Sequence, residues 1–229
     1  MSFTTRSARK SSLLLEKTDS IMEVITILNY GAGNIRSVQN ALKRLGIPST
    51  LENNPDHIAE SSKLILPGVG AFATAMSNLN KSGLHEALDY VALKKRIPVL
   101  GICLGMQLFA NSSTEDGTHQ GLGWIDGHVV RLSPGNGLAV PHIGFNNVVF
   151  SDNRCQLATG LTNELDFYFI HSYHFVPSHT ADVLGLTNYG GNFVSAISKA
   201  NIYGVQFHPE KSQGNGLLLL RNFAELALA

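Results

Sequence analysis

Cysteine, tryptophan and charge are all scarce in this chain. Two cysteines, Cys103 and Cys155, in 229 residues are too few for a disulfide framework and fit a reduced compartment, read here as the cytoplasm. Seventeen Lys and Arg balance seventeen Asp and Glu, so the formal net charge is zero and no basic stripe invites a nucleic-acid backbone. No apolar run reaches the roughly 18 to 20 residues that a bilayer-spanning helix needs, because Gly, Pro or a charge interrupts each candidate. Nucleic-acid and membrane roles are set aside on these grounds, and neither a cofactor nor a metal is expected. What remains is a chain with 44% hydrophobic residues, enough to bury a sizeable core in one domain.

Residues 1–21 are basic, rich in Ser and Thr and nearly without acids, and their apolar part, Leu13 to Leu15, is too short for a signal-peptide core. They are read as a disordered leader, or as sequence ahead of a true initiator at Met22, which leaves 22–229 as the folded domain.

The periodic part opens with Val24-Ile25-Thr26-Ile27-Leu28, a β-branched apolar run closed by Gly31 and Gly33, which predicts a buried strand and its turn. Ile35, Val38, Ala41, Leu42 and Leu45 then recur at helical spacing up to Gly46 and Pro48. The same grammar returns at Lys63 to Leu66, before Pro67-Gly68-Val69-Gly70 and a helical stretch through Leu79, Leu84 and Leu88. It returns again at Pro98 to Ile102, which feeds Cys103 into the apolar stretch Leu104 to Ala110. Alternating strands and helices predict an α/β domain whose parallel sheet is covered on both faces, with function gathered at the carboxyl ends of the strands. After Trp124 the runs shorten: Gly127 to Leu132, Asn147 to Phe150, Phe167 to Ile170 and Phe193 to Ile197 predict added antiparallel strands. Tyr203 to Phe207 predicts one more buried strand, delivering His208, and Gly216 to Leu226 a closing helix.

The strongest local signal is Gly101-Ile102-Cys103-Leu104-Gly105, a nucleophile framed by glycines between a predicted strand and a predicted helix. Such an elbow presents the side chain on a sharp turn, turns the next N–H toward a substrate, and places a helix amino end beside the sulfur. Alone, Cys103 could equally be a buried structural thiol. Cys155 lies in a polar stretch without a glycine frame and is given no catalytic role. A thiolate needs a base and the base an orienting group, and His208-Pro209-Glu210 at the end of an apolar strand offers both. Pro67-Gly68-Val69-Gly70 can supply backbone N–H groups for an oxyanion, or be an ordinary strand-to-helix turn. Asn29 to Asn34 contains a G-x-G but lacks the third glycine and the later acid of a dinucleotide fingerprint. From residues alone two readings stand: a cysteine hydrolase acting on an amide or ester, and a redox or binding protein of the flavodoxin type. The remoteness of Cys155 weighs against thiol redox chemistry, and a binding module has no use for an elbow, a base and an oxyanion turn together.

Taken together, Gly101 to Gln107, Pro67 to Gly70 and Tyr203 to Ser212 resemble the triad glutamine amidotransferases, and among them the glutaminase subunits of imidazole glycerol phosphate synthase. The likeness runs from about Met22 onward and includes Gly121-Leu122-Gly123, Pro141-His142-Ile143-Gly144, His171-Ser172-Tyr173 and Arg221-Asn222-Phe223. It implies the class I amidotransferase fold: one α/β domain with a mostly parallel central sheet flanked by helices and added antiparallel strands. It implies that Cys103 attacks the carboxamide of glutamine, that His208 protonates the departing ammonia and then activates water, and that Glu210 holds the imidazole. The N–H groups of Val69 and Leu104 would form the oxyanion hole, the former after a backbone flip. Gly68, Gly70, Gln107 and Glu115 would hold glutamine, with backbone contacts from Ser172 and Tyr173.

By the same likeness the ammonia passes to a cyclase subunit of the HisF type in a heterodimer. Asn34, Phe145 in the Pro141 to Asn146 loop, and Lys211 would lie on the face toward that partner. The products would be imidazole glycerol phosphate and an aminoimidazole carboxamide ribotide, in histidine biosynthesis. Phe145 stands where the family usually has Trp, so the indole N–H donor is missing. That keeps a second destination in view, a related synthase that amidates a sugar, because the motifs that hydrolyse glutamine would look the same in both.

Overall fold

A computed structural model describes residues 23–227, apart from 32, 136, 152–154 and 163–164; the expected leader, 1–21, lies outside the described residues. In chain order the first half runs β1 (Ile25–Leu28), α1 (Ile35–Arg44), β2 (Ser49–Glu52), α2 (Pro55–Ala59), β3 (Lys63–Gly68), α3 (Phe72–Lys81), α4 (Leu84–Asp89), β4 (Val99–Cys103) and α5 (Leu104–Gln107). The second half adds β5 (Ser112–Ser113), β6 (His119–Gln120), β7 (Gly127–Arg131), β8 (His142–Phe150), β9 (Leu165–His171), β10 (Tyr173–Pro177), β11 (Val183–Asn188), β12 (Asn192–Lys199), β13 (Ile202–Val205) and α6 (Gln213–Glu225).

Nine of these strands form one sheet in the order β2-β1-β3-β4-β13-β12-β11-β8-β9. The stretch from β2 to β13 is parallel, and from β13 onward each neighbour is antiparallel. The sheet is therefore mixed, with the parallel part at one side. A separate four-stranded sheet, β10-β7-β5-β6, packs beside it.

Side-chain alternation explains why the parallel strands read as continuous apolar runs. Leu64 and Leu66 on β3 point into a core shared with Leu79, Leu84 and Leu88 of α3 and α4. Ile65, between them, points to the opposite face, where Val38 and Leu42 of α1 and Leu219 and Phe223 of α6 cover it. Covering both faces requires helices on both, which the helical spacing of Val38, Ala41 and Leu42 supplies. Lys63, at the start of β3, is buried and donates its Nζ to the Ala224 carbonyl at the end of α6, where a cation meets exposed helix carbonyls.

Three departures from expectation have local causes. The stretch through Leu79, Leu84 and Leu88 is two helices, because Gly83 adopts φ 71°, a conformation that ends one helix and starts the next. The apolar stretch after Cys103 yields only one helical turn before Leu108 to Ala110 donate back and bend the chain. β2 was not expected, since its half-buried Ser49-Thr50-Leu51-Glu52 carries almost no apolar signal at this edge of the sheet. No described helix is long and apolar enough to cross a membrane.

Candidate active site

Because β3, β4 and β13 are adjacent and parallel, their carboxyl ends are brought together, and each ends in one of the motifs. The register pairs Gly68 with Cys103 and Val205 with Ile102, so the glycine turn, the thiol and the strand leading to His208 stand side by side.

Cys103 has φ 53° and ψ −107°, a region non-glycine residues rarely occupy, at a cost of about 1–3 kcal/mol. The neighbours show how the strain is held. A Cβ on Gly101 would come within 2.6 Å of the Phe109 ring, and one on Gly105 would strike the Leu66 carbonyl, so both glycines let the elbow pack against β3 and its own following turn. Gly68 likewise leaves room for the Tyr30 hydroxyl and the Leu104 side chain. Since α5 has four residues, the helix-dipole contribution expected at the sulfur is small.

His208 is 1% exposed and Glu210 sits on the short helical turn Pro209–Lys211. The Nδ1–H of His208 donates to Glu210 Oε1 at 2.8 Å, and this fixes which ring nitrogen faces Cys103. Among the described residues the remaining nitrogen, Nε2, has no hydrogen-bond partner, as expected of a group kept for a reacting species. Burial by itself would lower the imidazole pKa, but interaction with Cys103 and Glu210 outweighs it and raises it to about 10. This favours the protonated imidazole beside the Cys103 sulfur.

A cavity of about 330 Å³ opens over the nucleophile, lined by Val69, Gly70, Cys103, Leu104, Gln107 and Glu115 on one side and Pro141, Ile170, His171, Ser172 and Tyr173 on the other. Glu115 Oε2 accepts from the Phe72 N–H at 2.6 Å, so the carboxylate ties the start of α3, just beyond the glycine turn, to the cavity wall. Tyr173 and Ser172 line the cavity while their carbonyls accept from Gln107 Nε2 and from the Leu132 N–H, both at 2.8 Å. Gly68 is buried beneath the turn, behind the residues that line the cavity. A larger cavity of about 670 Å³ at the amino end of β13 is lined by Ser151, Cys155, Ser198 and Tyr203 among others. Among the described residues its lining includes no base or carboxylate, and the chemistry points to the smaller one.

Of the residues expected at the partner face, Phe145 is 51% exposed and packs edge-on against Tyr168 at 5.6 Å, while the Lys211 ammonium lies 5.5 Å above the same ring. Strands β8 and β9 also expose Ile143 and Ile170, paired across the ladder beside the cavity, and farther along β8, beyond the polar Asn147–Asp166 pair, Val149. Asn34 lies against the triad. Its Nδ2 donates to Glu210 Oε1 and lies 3.3 Å from His208 Nδ1, which makes it a fourth member of the triad's hydrogen-bond set.

Four further residues take places at the site that no local pattern assigns them. Gln206 is fully buried, accepts from Gln107 Nε2 at 3.0 Å and directs its own Nε2 at Cys103 Sγ, 3.5 Å away. The Tyr30 hydroxyl is buried without a partner near Gly68, its pKa pushed up by burial and by Cys103. His171 and His142, which belong to two of the motifs named above, are buried and joined at 3.1 Å.

The chain matches the model of the glutamine amidotransferase class-I family over residues 26–226, and belongs to that family. More narrowly, it is 47% identical over 208 residues to imidazole glycerol phosphate synthase subunit HisH of Bdellovibrio bacteriovorus, covering 89% of this chain and 100% of that protein. It is equally 47% identical over 205 residues to the HisH subunit of Moorella thermoacetica, covering 90% and 96%. It therefore falls among the HisH proteins within the class. A chain from the structure of PurLQS from Thermotoga maritima shares the fold, with a TM-score of 0.71 at 14% identity over 89% of this chain and 98% of that one.

Proposed function

We propose that this chain hydrolyses L-glutamine at Cys103 and supplies the ammonia to a HisF-type cyclase, as the glutaminase subunit of an imidazole glycerol phosphate synthase in histidine biosynthesis. The observation that carries the reading is the meeting of Cys103, the His208–Glu210 pair and the Val69–Gly70 turn at three adjacent strand ends around one cavity, in a HisH-family chain.

In the reaction, Cys103 Sγ attacks the carboxamide carbon and the carbonyl electron pair moves onto oxygen, where the N–H groups of Val69 and Leu104 receive it. Collapse of that adduct breaks the carbon–nitrogen bond as His208 Nε2–H gives its proton to the leaving amine, which departs as ammonia. The neutral imidazole then takes a proton from water, whose oxygen attacks the thioester, and glutamate leaves as the thiolate is restored. Glu210, braced by Asn34, stabilises the imidazolium before the first transfer and after the second. Gln107, Glu115, Gly70, Ser172 and Tyr173 surround the place of the amino-acid head group.

The exposed apolar side chains Ile143, Phe145 and Ile170 form the docking face for the cyclase, with Tyr168 and Lys211 at its edge. Phenylalanine keeps the ring at position 145 and drops the donor. A sugar-amidating partner is not favoured, since the relatives above carry the imidazole glycerol phosphate synthase name. Stimulation of glutamine hydrolysis by a HisF-type cyclase with its substrate tests the proposal, and a chain that responds only to a different synthase contradicts it.

A further inference from the structure

Gln206 precedes the catalytic histidine by two residues and is 0% exposed. Its side chain belongs to a buried relay: Gln107 Nε2 donates to the Tyr173 carbonyl at 2.8 Å and to Gln206 Oε1 at 3.0 Å, and Gln206 Nε2 reaches Cys103 Sγ at 3.5 Å. The relay has one possible polarity. A backbone carbonyl only accepts, so the Gln107 atom facing Tyr173 is its NH₂. The Gln206 atom facing that NH₂ must accept and is Oε1. What Gln206 presents to the sulfur is then necessarily a donor.

We propose that Gln206 is a positioning residue that holds the Cys103 sulfur in its thiolate form, with its donor polarity imposed by the Tyr173 carbonyl through Gln107. This rests on the reading of Cys103 as nucleophile. The reasoning is one of satisfaction: a thiolate only accepts, so it pairs with the buried N–H, whereas a thiol brings a competing donor. The other groups around the sulfur act in both directions. The Ile170 carbonyl, 3.9 Å away, accepts an S–H and favours the thiol, the His208 imidazolium favours the thiolate, and Tyr30, neutral His171 and Glu115 complete the surroundings. With only one turn of helix at the elbow, an amide donor supplies what a long helix dipole would otherwise provide. The arrangement also ties nucleophile to substrate, because Gln107 and Tyr173 line the cavity in which the amino acid binds.

The test is the pH dependence of alkylation by iodoacetamide in the full-length protein carrying Cys155→Ser, which leaves Cys103 as the sole cysteine. Gln206→Met keeps the volume and removes the donor, and the midpoint of alkylation is expected to rise by about one pH unit. An unchanged midpoint in a folded variant overturns the proposal. Should Gln206→Met not fold, the side-chain NH₂ resonances of Gln206 in the protein with Gln206 intact answer instead. They are expected to shift along the same pH curve as alkylation, and resonances indifferent to that curve overturn the proposal. The underlying reading fails separately: alkylated Cys103 with intact glutaminase activity would remove Cys103 as nucleophile, and Gln206 with it.

Discussion

A strained cysteine, a buried imidazolium and a carboxylate held by two donors each have a cost that other residues must offset. Cys103 adopts its left-handed backbone because Gly101 and Gly105 allow the chain to pass close to Phe109 and Leu66. Glu210 is stabilised by His208 and by Asn34, and His208 in turn by Cys103 and Glu210. Replacing Cys103 by Ala removes the nucleophile without touching the exposed apolar side chains of β8 and β9. Glutamine hydrolysis is expected to fall at least about a thousandfold in a steady-state assay. Affinity for the cyclase, measured by titration calorimetry, stays within about twofold of the parent. Cys103 was legible at this scale because a glycine-framed elbow has a sequence signature. Gln206 and Asn34 were not, since a lone amide acquires its role only from what the fold places beside it.

Helix α6 closes the face of the sheet opposite α3 and α4, and its first turn leans on the turn that carries Glu210. Two glycines in that helix have different situations. A Cβ on Gly216 would collide with the Pro209 carbonyl, whereas nothing lies within 4 Å of one on Gly214. Gly216→Ala is therefore expected to destabilise by about 1–3 kcal/mol in urea titration and to lower glutaminase activity by moving Pro209 and Glu210. Gly214→Ala should be neutral or stabilising by up to about 0.5 kcal/mol. Equal effects of the two changes would refute this packing account. Strand and helix positions were readable where apolar residues alternate on both faces, as in β3 and β4. The one-turn α5 and edge strand β2 were not, because long-range packing rather than local pattern sets their ends.

At the scale of the whole molecule, two kinds of buried histidine act in opposite senses. His171 donates its Nδ1–H to the Tyr173 carbonyl at 2.9 Å and accepts at Nε2 from His142, which stacks on Tyr189 with ring centres 4.0 Å apart. Burial lowers His142 to about 4, and burial chiefly, aided by neighbouring histidines, lowers His171 to about 3. In the unfolded chain both titrate near 6.5, so the stability they contribute is complete above that pH and is lost as pH falls from 6.5 toward 4 and 3. His208 has the opposite sign: raised to about 10, it contributes fully below 6.5 and loses its contribution as pH rises through 10. The melting temperature is thus expected to peak near neutrality and to fall on the acid side by less in a His142→Gln variant. An acid limb of the same size in parent and variant would contradict the assignment. Family and fold were legible at this scale from motif order along the chain, whereas the cavity wall made by Pro141, Ile170 and His171 depended on how β8 and β9 fold back.

Whether this chain makes ammonia from glutamine for a HisF-type cyclase is decided by a single assay. Glutamate release would be measured for the purified full-length chain alone, and again with that cyclase and its phosphoribulosyl-formimino substrate. Slow release alone and stimulation of about a hundredfold in the mixture are expected, since a coupling of about 3 kcal/mol is within the usual range between linked sites. Release that the cyclase and its substrate leave unchanged, or no glutamate under either condition, would contradict the proposed function.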